Sequence, residues 1–311
     1  MSINKRFLQL IAALWILVFH LWINLSGTQA EQFIIRIGYV GVEIFFFVSA
    51  WSLADKKIDY PDFLKNRFLS IYLRFVFFCL VAAVYKAWSV SKTLKAVFLV
   101  SFFESGGGSF LWFLPAIMLF YLTYPLFVRW SFKYKTVLVL ALWFTLSIIS
   151  EKLLGYNRVF IFTNRIPLML CAYELKKRGL DGKLALAMLP VGLGLLYFRG
   201  FTTKLNVPFN EIYFVLAIPL VVSLAYLSGF VRESKLIKLL SSATLELYAL
   251  QMIFGSAVVN ALYKLTASKA ATNLLMLVVM LTASVLLSSA YQWLRQRTAK
   301  LLPRQSSQHS I

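Results

Sequence analysis

In the apolar run "AALWILVFHLWI", from Ala12 to Ile23, one titratable side chain, His20, interrupts the hydrocarbon. The other histidine, His309, lies in a polar tail. An imidazole held away from carboxylates and from water stays uncharged, which is the state a general base needs. Gln9 precedes it by eleven residues, and eleven helical steps of ~100° return to the same face about 16 Å away along the axis. Gln9 and His20 therefore share a stripe, at the inner and outer parts of one expected cavity. The alternative for His20 is a core histidine hydrogen-bonded to a neighbouring helix.

Other polar groups fall in equally apolar surroundings, where each is costly and hence a functional candidate. Glu43 sits in "GYVGVEIFFFVSAW", so its carboxylate must be paired or protonated. Two roles fit it: accepting from the second ring nitrogen of His20 and so orienting the base, or an ion pair with an arginine of another helix. In "KNRFLSIYLRFVFF", Arg67 and Arg74 are seven residues apart and project from one face. Such a rising pair of guanidiniums suits a track for phosphates. Arg67 alone also fits a boundary anchor, whereas Arg74 is too deep for that and is expected to meet a phosphate or Glu43. Arg165, in "TNRIPLML", either snorkels outward or, with Pro167 beside it, marks a kink opening toward a cavity. Ser49, Asn164, Glu211, Glu246 and Gln251 complete the set. The stretch "ESGGGSFLWFLPA" has no GK[ST] and no preceding strand, which excludes a phosphate-binding P-loop; its glycines read as a hinge. Cys79 and Cys171 have no CxxC or metal-ligand spacing and read as small core residues, so no metal site is expected.

The elements that must position these residues are membrane helices. The 311 residues are 60% hydrophobic and 16% aromatic, with mean hydropathy +0.76. A soluble domain of this length needs far more polar surface. The net charge of +20 would suit a nucleic-acid binder, but the cations sit in short loops between apolar runs. That pattern belongs to membrane topology and to attraction for anionic lipid headgroups, with no nucleic-acid partner expected. Runs of spanning length fall at about 7–26, 34–54, 64–88, 109–131, 135–152, 159–177, 183–200, 210–230, 238–264 and 271–296. The first is expected to be a retained span and not a cleaved signal peptide. The run 92–104 is too short to cross and reads as an interfacial or re-entrant piece. With the N-terminus in the cytoplasm, twenty of the 32 lysines and arginines fall in inside segments and ten outside, leaving Arg74 and Arg165 within spans. The expected fold is an all-α, polytopic bundle of about ten spans with both termini cytoplasmic. It forms one domain over residues 1–300, followed by a short disordered cytoplasmic tail over 301–311.

Several of these segments, in this order, resemble acyltransferase family 3, the integral membrane O-acyltransferases. The resemblance runs from Phe7 to about Leu294. His20 matches the histidine of the family's first span, and "GVEIFFFVSAW" its Gly-Val-Asp/Glu-aromatic-Phe-x-x-Ser-Gly-Phe pattern. "FLKNRFLSIYLRF" is similar to its basic third-span motif, and "LWFLPAIMLFYLTYPLF" to its Trp-Phe-Leu helix with a later proline. "NRIPLMLCAYEL" matches an Arg-x-Pro helix and "SSATLELYALQ" a Ser-x-x-Leu-Tyr-x-x-His segment. Three positions depart: Gln9 stands for the family arginine, Gln251 for the late-span histidine, and Ala50 for the glycine of the Ser-Gly pair. Gln9 still hydrogen-bonds but carries no charge.

The resemblance implies a multi-pass enzyme of the cell (plasma or inner) membrane with no bound cofactor. It would transfer an acyl group, acetyl first of all, from acyl-CoA to a hydroxyl of a cell-surface polysaccharide or lipid-linked sugar. It makes His20 the base and Glu43 the holder of its tautomer. Gln9, Arg67 and Arg74 would bind the donor, and Arg165 or Gln251 would meet the acceptor or the oxyanion. Two other readings share these residues. One is a proton-coupled transporter or flippase of a lipid-linked glycan, and the other is a catalytically degenerate member that only binds its partners.

Overall fold

In the computed structural model, residues 3–105, 109–154, 160–179, 181–201 and 212–301 are described. Glu211, the glycines 106–108 and the tail beyond residue 301 lie outside them. Among the described residues every regular element is helical. Helix α1 spans Lys5–Leu21 and α2 Gln29–Arg36; a 3₁₀ turn at Ile37–Tyr39 joins α2 to α3, Val40–Leu53. Helix α4, Tyr60–Phe63, runs through a π-helical turn, Leu64–Phe68, into α5, Leu69–Tyr85. Then come α6 (Val90–Val97), α7 (Val100–Ser105), α8 (Phe113–Arg129), α9 (Lys135–Leu154), α10 (Phe160–Thr163), α11 (Ile166–Arg178) and α12 (Gly182–Phe201). A 3₁₀ turn precedes α13 (Ile218–Ser228), and α14 (Lys235–Ser242), α15 (Thr244–Thr266) and α16 (Lys269–Leu301) close the described chain.

Among the described residues, four continuous helical stretches are long and apolar enough to cross a membrane: Gln29–Leu53, Tyr60–Tyr85, Thr244–Thr266 and Lys269–Arg297. Shorter apolar helices cover the runs within α8, α9, α12 and the stretch Val215–Ser228. Helices are the outcome lipid demands, because each backbone group must bond within its own segment. Val137, Leu142, Leu146, Leu184, Val191, Leu274 and Leu286 are exposed on α9, α12 and α16, the surface a hydrocarbon solvent would cover. The short run expected to be interfacial is the pair α6–α7, broken at Leu99 by a left-handed φ of 64°. The kink expected at Pro167 is instead a helix start. α10 stops at Thr163, Arg165 is the N-cap of α11, and Pro167 sits in the first turn, where its missing N–H leaves no bond unmade.

Helix α1 begins where Asn4 caps it, accepting from the Phe7 N–H. The Asn4 N–H also donates to Ser228 Oγ at 3.1 Å and its Nδ2 to the Val231 carbonyl at 2.9 Å, which ties this end to α13. We call this the N-terminal face. Between α1 and α2, the Glu31 carboxylate accepts from the N–H groups of Leu25, Ser26 and Gly27 and closes the loop. Lys135 caps the end of α8, donating to the carbonyls of Phe127, Val128 and Trp130 at 2.8–3.1 Å.

Two glycines set the packing of α1 on α3. A Cβ at Gly41 would fall 2.4 Å from the Ala12 carbonyl oxygen, and one at Gly38 2.6 Å from that of Trp15, so only glycine allows this approach. The crossed numbering makes α1 and α3 antiparallel. On another side of α1, Ala13, Leu17 and Leu21 form an apolar cluster with Leu247 of α15 and with Met276 and Met280 of α16. Gly255 packs on Leu21, with a Cβ there lying 2.6 Å from Leu21 Cδ2. Gln9, Ile16 and His20 fall within about 40° of one another on α1. Gln9 and Ile16 face the seam between α3 and α15.

At the N-terminal face Asp55, just past α3, pairs with Lys177 at 2.9 Å and Lys176 at 3.3 Å of α11. Its hydrogen bond with Lys177, seconded by Lys176, holds this carboxyl below the usual aspartate range. A depressed carboxyl contributes stability that is present above its unfolded pKa of ~3.9 and is lost as pH falls through the folded value. Thermal unfolding in detergent between pH 7 and pH 3 is expected to show wild type losing more stability below about pH 4 than Asp55→Asn. Superimposable pH curves for the two would remove Asp55 from the α3–α11 tie.

Candidate functional site

A cavity of about 620 Å³ enters the bundle at the N-terminal face. Asn66, Arg67 and Ser70 of the α4–α5 segment, Ser241, Ser242 and Thr244 at the α14–α15 junction, and Arg295 of α16 form its outer part. Gln9 and Ser49 contribute further polar side chains, while Ile16, Phe45, Phe113, Leu114 and Ile117 make the inner wall apolar. The mouth is thus cationic and hydrogen-bonding, and the depth is mostly hydrocarbon, with the hydroxyls of Ser49, Tyr121 and Tyr248 on the wall.

The structure brings four of the expected residues to this cavity: Gln9, Ser49, Arg67 and Arg74. Arg67, in the π-helical turn, and Arg74, on α5, do project toward the same cavity. Arg74 is paired with Glu246 of α15 at 3.3 Å, donates through Nε to the Ser70 carbonyl at 3.2 Å, and has Tyr291 of α16 5.1 Å away. The expected Arg74–Glu43 pair is not formed. Glu43 faces elsewhere because it is two residues, about 200°, from Gly41, the position pressed against α1.

Glu43 is fully buried and pairs with Arg165 at 2.9 Å. Arg165 is itself only 1% exposed, so the snorkelling expectation is corrected. Its guanidinium lies 5.1 Å from the Trp112 ring and 5.9 Å from that of Phe46. A delocalised cation between two rings tolerates burial better than an ammonium would. Of the two roles open to Glu43, the geometry realises the interhelical ion pair. The same 200° turn that carries Glu43 away from α1 carries it away from His20.

His20 stands one helical turn, about 6 Å, beyond Ile16, the deepest α1 residue of the cavity wall. It is exposed, with its ring edge-on to Phe19 at 4.9 Å. It continues the stripe of Gln9 and Ile16 but is reached past the cavity's inner end, not from within it. Gln251 is 4% exposed, one turn below Gly255, and hence about one turn below the level of Leu21 and His20. Neither of its amide atoms has a hydrogen-bond partner among the described residues, and the Tyr248 hydroxyl is in the same position. Buried polar atoms are rarely left so unless a ligand or water meets them.

Sequence reasoning missed Tyr248, which looks like one more aromatic of an apolar helix, and Arg295, which reads as an inside anchor. The signal for Arg295 was its spacing: Ser288, Tyr291, Gln292 and Arg295 recur at three and four residues within the last apolar run.

A family model described as an acyltransferase domain matches residues 6–293. The match contains every expected site residue and stops just short of Arg295. No curated protein and no solved structure matches the chain.

Proposed function

This chain belongs to acyltransferase family 3, and on that premise we propose that it transfers an acyl group, acetyl first of all, from acyl-CoA to a hydroxyl of a cell-surface polysaccharide or lipid-linked sugar. The observation that carries this reading is the cavity itself. Its cationic mouth and apolar depth run along α1 from Gln9 to Ile16, one helical turn short of His20.

A thioester donor has that same polarity, with phosphates at one end and a slender arm at the other. Its phosphates meet Arg67 and Arg74 at the mouth, where guanidinium–phosphate hydrogen bonds are strong and directional. The arm passes Gln9 toward Ile16 and Phe45. The acceptor approaches His20 from the opposite face, where that side chain is exposed. His20 removes the proton of the attacking hydroxyl as its oxygen bonds to the thioester carbon. The carbon–sulfur bond then breaks, and the imidazolium returns the proton to the departing thiolate. Gln251, one turn away and with no partner for its amide among the described residues, is suited to donate to the oxygen that carries the transient charge. Glu43 and Arg165 act by holding α3 to α11 behind the cavity wall.

The donor assignment is tested by binding. Arg67→Gln and Arg74→Gln are each expected to weaken acetyl-CoA affinity by ~10–100-fold, the scale of a lost charge-assisted hydrogen bond. Measurement is by equilibrium titration on detergent-purified protein. Arg74→Gln strands Glu246, so the pair Arg74→Gln with Glu246→Gln is measured beside it. Unchanged affinity in both the Arg67 variant and the double variant would remove the donor from this cavity.

A further inference from the structure

Beside the main cavity lies a second chamber of about 490 Å³, and Arg74, Ser242 and Arg295 belong to both walls. The remainder of its lining comes from one face of α16: Ser288, Tyr291, Gln292 and Gln296. No aliphatic side chain contributes to it, in contrast to the inner main cavity. Resting on the donor reading above, we propose that this chamber is the subsite for the purine nucleotide half of the donor, a nucleoside bisphosphate, with the thioester arm alone entering the main cavity.

The argument begins with the shared wall. An anion held by Arg74 and Arg295 stands at the junction of two spaces of opposite character. One is a narrowing apolar channel, and the other is a roomy polar chamber within the ~300–1,000 Å³ of small-molecule sites. A ligand that satisfies both has a phosphorylated centre, a slim arm on one side and a hydrogen-bonding head on the other. The chamber's side chains are those that recognise a base. Tyr291 offers a ring for stacking. Gln292 and Gln296 carry primary amides, which pair with the donor–acceptor edge of adenine. Gln292 commits one N–H to Ser288 Oγ at 3.4 Å, and Ser288 in turn donates to the Ser242 carbonyl at 3.0 Å, which fixes this face of α16 against α14. The one cation of the site from α16, Arg295, lies beyond the residues that the family model matches. It supplies on another helix the positive charge that Gln9 does not carry on α1.

The phosphates of a lipid headgroup would also satisfy the arginines, and the experiment separates the two sources. Adenosine 3′,5′-bisphosphate and pyrophosphate are titrated against labelled acetyl-CoA on the full-length protein in detergent, and anionic vesicles are added in a third arm. The bisphosphate is expected to displace acetyl-CoA at least roughly tenfold more effectively than pyrophosphate or the vesicles. Gln292→Leu and Gln296→Leu are each expected to weaken the bisphosphate by roughly tenfold, one hydrogen-bonded contact's worth. Both glutamines are exposed, so neither change opens the core, and the isosteric Gln292→Glu serves as a second variant expected to weaken phosphate-bearing ligands further. Equal displacement by bisphosphate and pyrophosphate, or full bisphosphate affinity in all three variants, overturns the subsite while leaving the donor cavity standing. A wild-type protein that binds no acetyl-CoA at all overturns the donor reading and the subsite with it.

Discussion

Replacing His20 with alanine is expected to lower acyl transfer by ~10²–10⁴-fold, the usual contribution of a positioned general base. The protein should remain folded in the membrane. His20 is exposed and outside the apolar clusters that join α1 to its neighbours, so its removal leaves no cavity in a packed core. The cavity proposed for the donor stops one turn short of it, so acetyl-CoA binding should persist and the loss should fall on kcat, with KM for the donor nearly constant. Mass spectrometry of surface glycans from cells carrying wild type, His20→Ala or no copy reads the result as presence or absence of one acyl mass. Full acylation in the His20→Ala cells would end the base assignment. Loss of the whole glycan in the deletion would point to export or assembly, the transporter reading.

Breaking the Glu43–Arg165 pair is expected to have the largest effect on stability. Arg165→Met leaves a carboxylate that is fully buried among Phe46, Phe47 and the helices around α3, and removing one partner of a buried pair typically costs about 3–5 kcal/mol. The double change Glu43→Gln with Arg165→Met should recover much of that, because the uncompensated charge is gone and the desolvation cost goes with it. Thermal unfolding in detergent compares the single, the double and the wild type. If the single change is as mild as the double, the ion pair is not what holds α3 to α11. The activity of the double variant carries separate information. Retained transfer fits a supporting role for the pair, whereas a kcat loss with normal stability would return Glu43 to the chemistry.

Hydropathy and spacing along the chain determined that this protein is helical and built for a membrane. They also placed the helices: the long apolar stretches at 29–53, 60–85, 244–266 and 269–297 fall on four of the expected runs. These features are local, since lipid forces each segment to bond within itself whatever its neighbours do. The order of motifs from Phe7 to about Leu294 was likewise legible, and the family model matches nearly the same stretch. Periodicity alone put Gln9 and His20 on one stripe and Arg67 and Arg74 on one face, because a helix repeats every 3.6 residues without reference to the fold.

Only the tertiary structure decided which charges meet. Arg74 pairs with Glu246, 172 positions away, and Glu43 with Arg165. Both choices follow from which faces touch, and the faces are set by close contacts such as Gly41 against the Ala12 carbonyl. The break at Asn164–Arg165 also needed the fold, since a proline written into an apolar run can kink a helix or begin one. Arg295 joined the site for the same reason. Its side chain gains meaning from α5 and α14 lying alongside, and such neighbours are assembled by packing between helices rather than by the order of residues within any one of them.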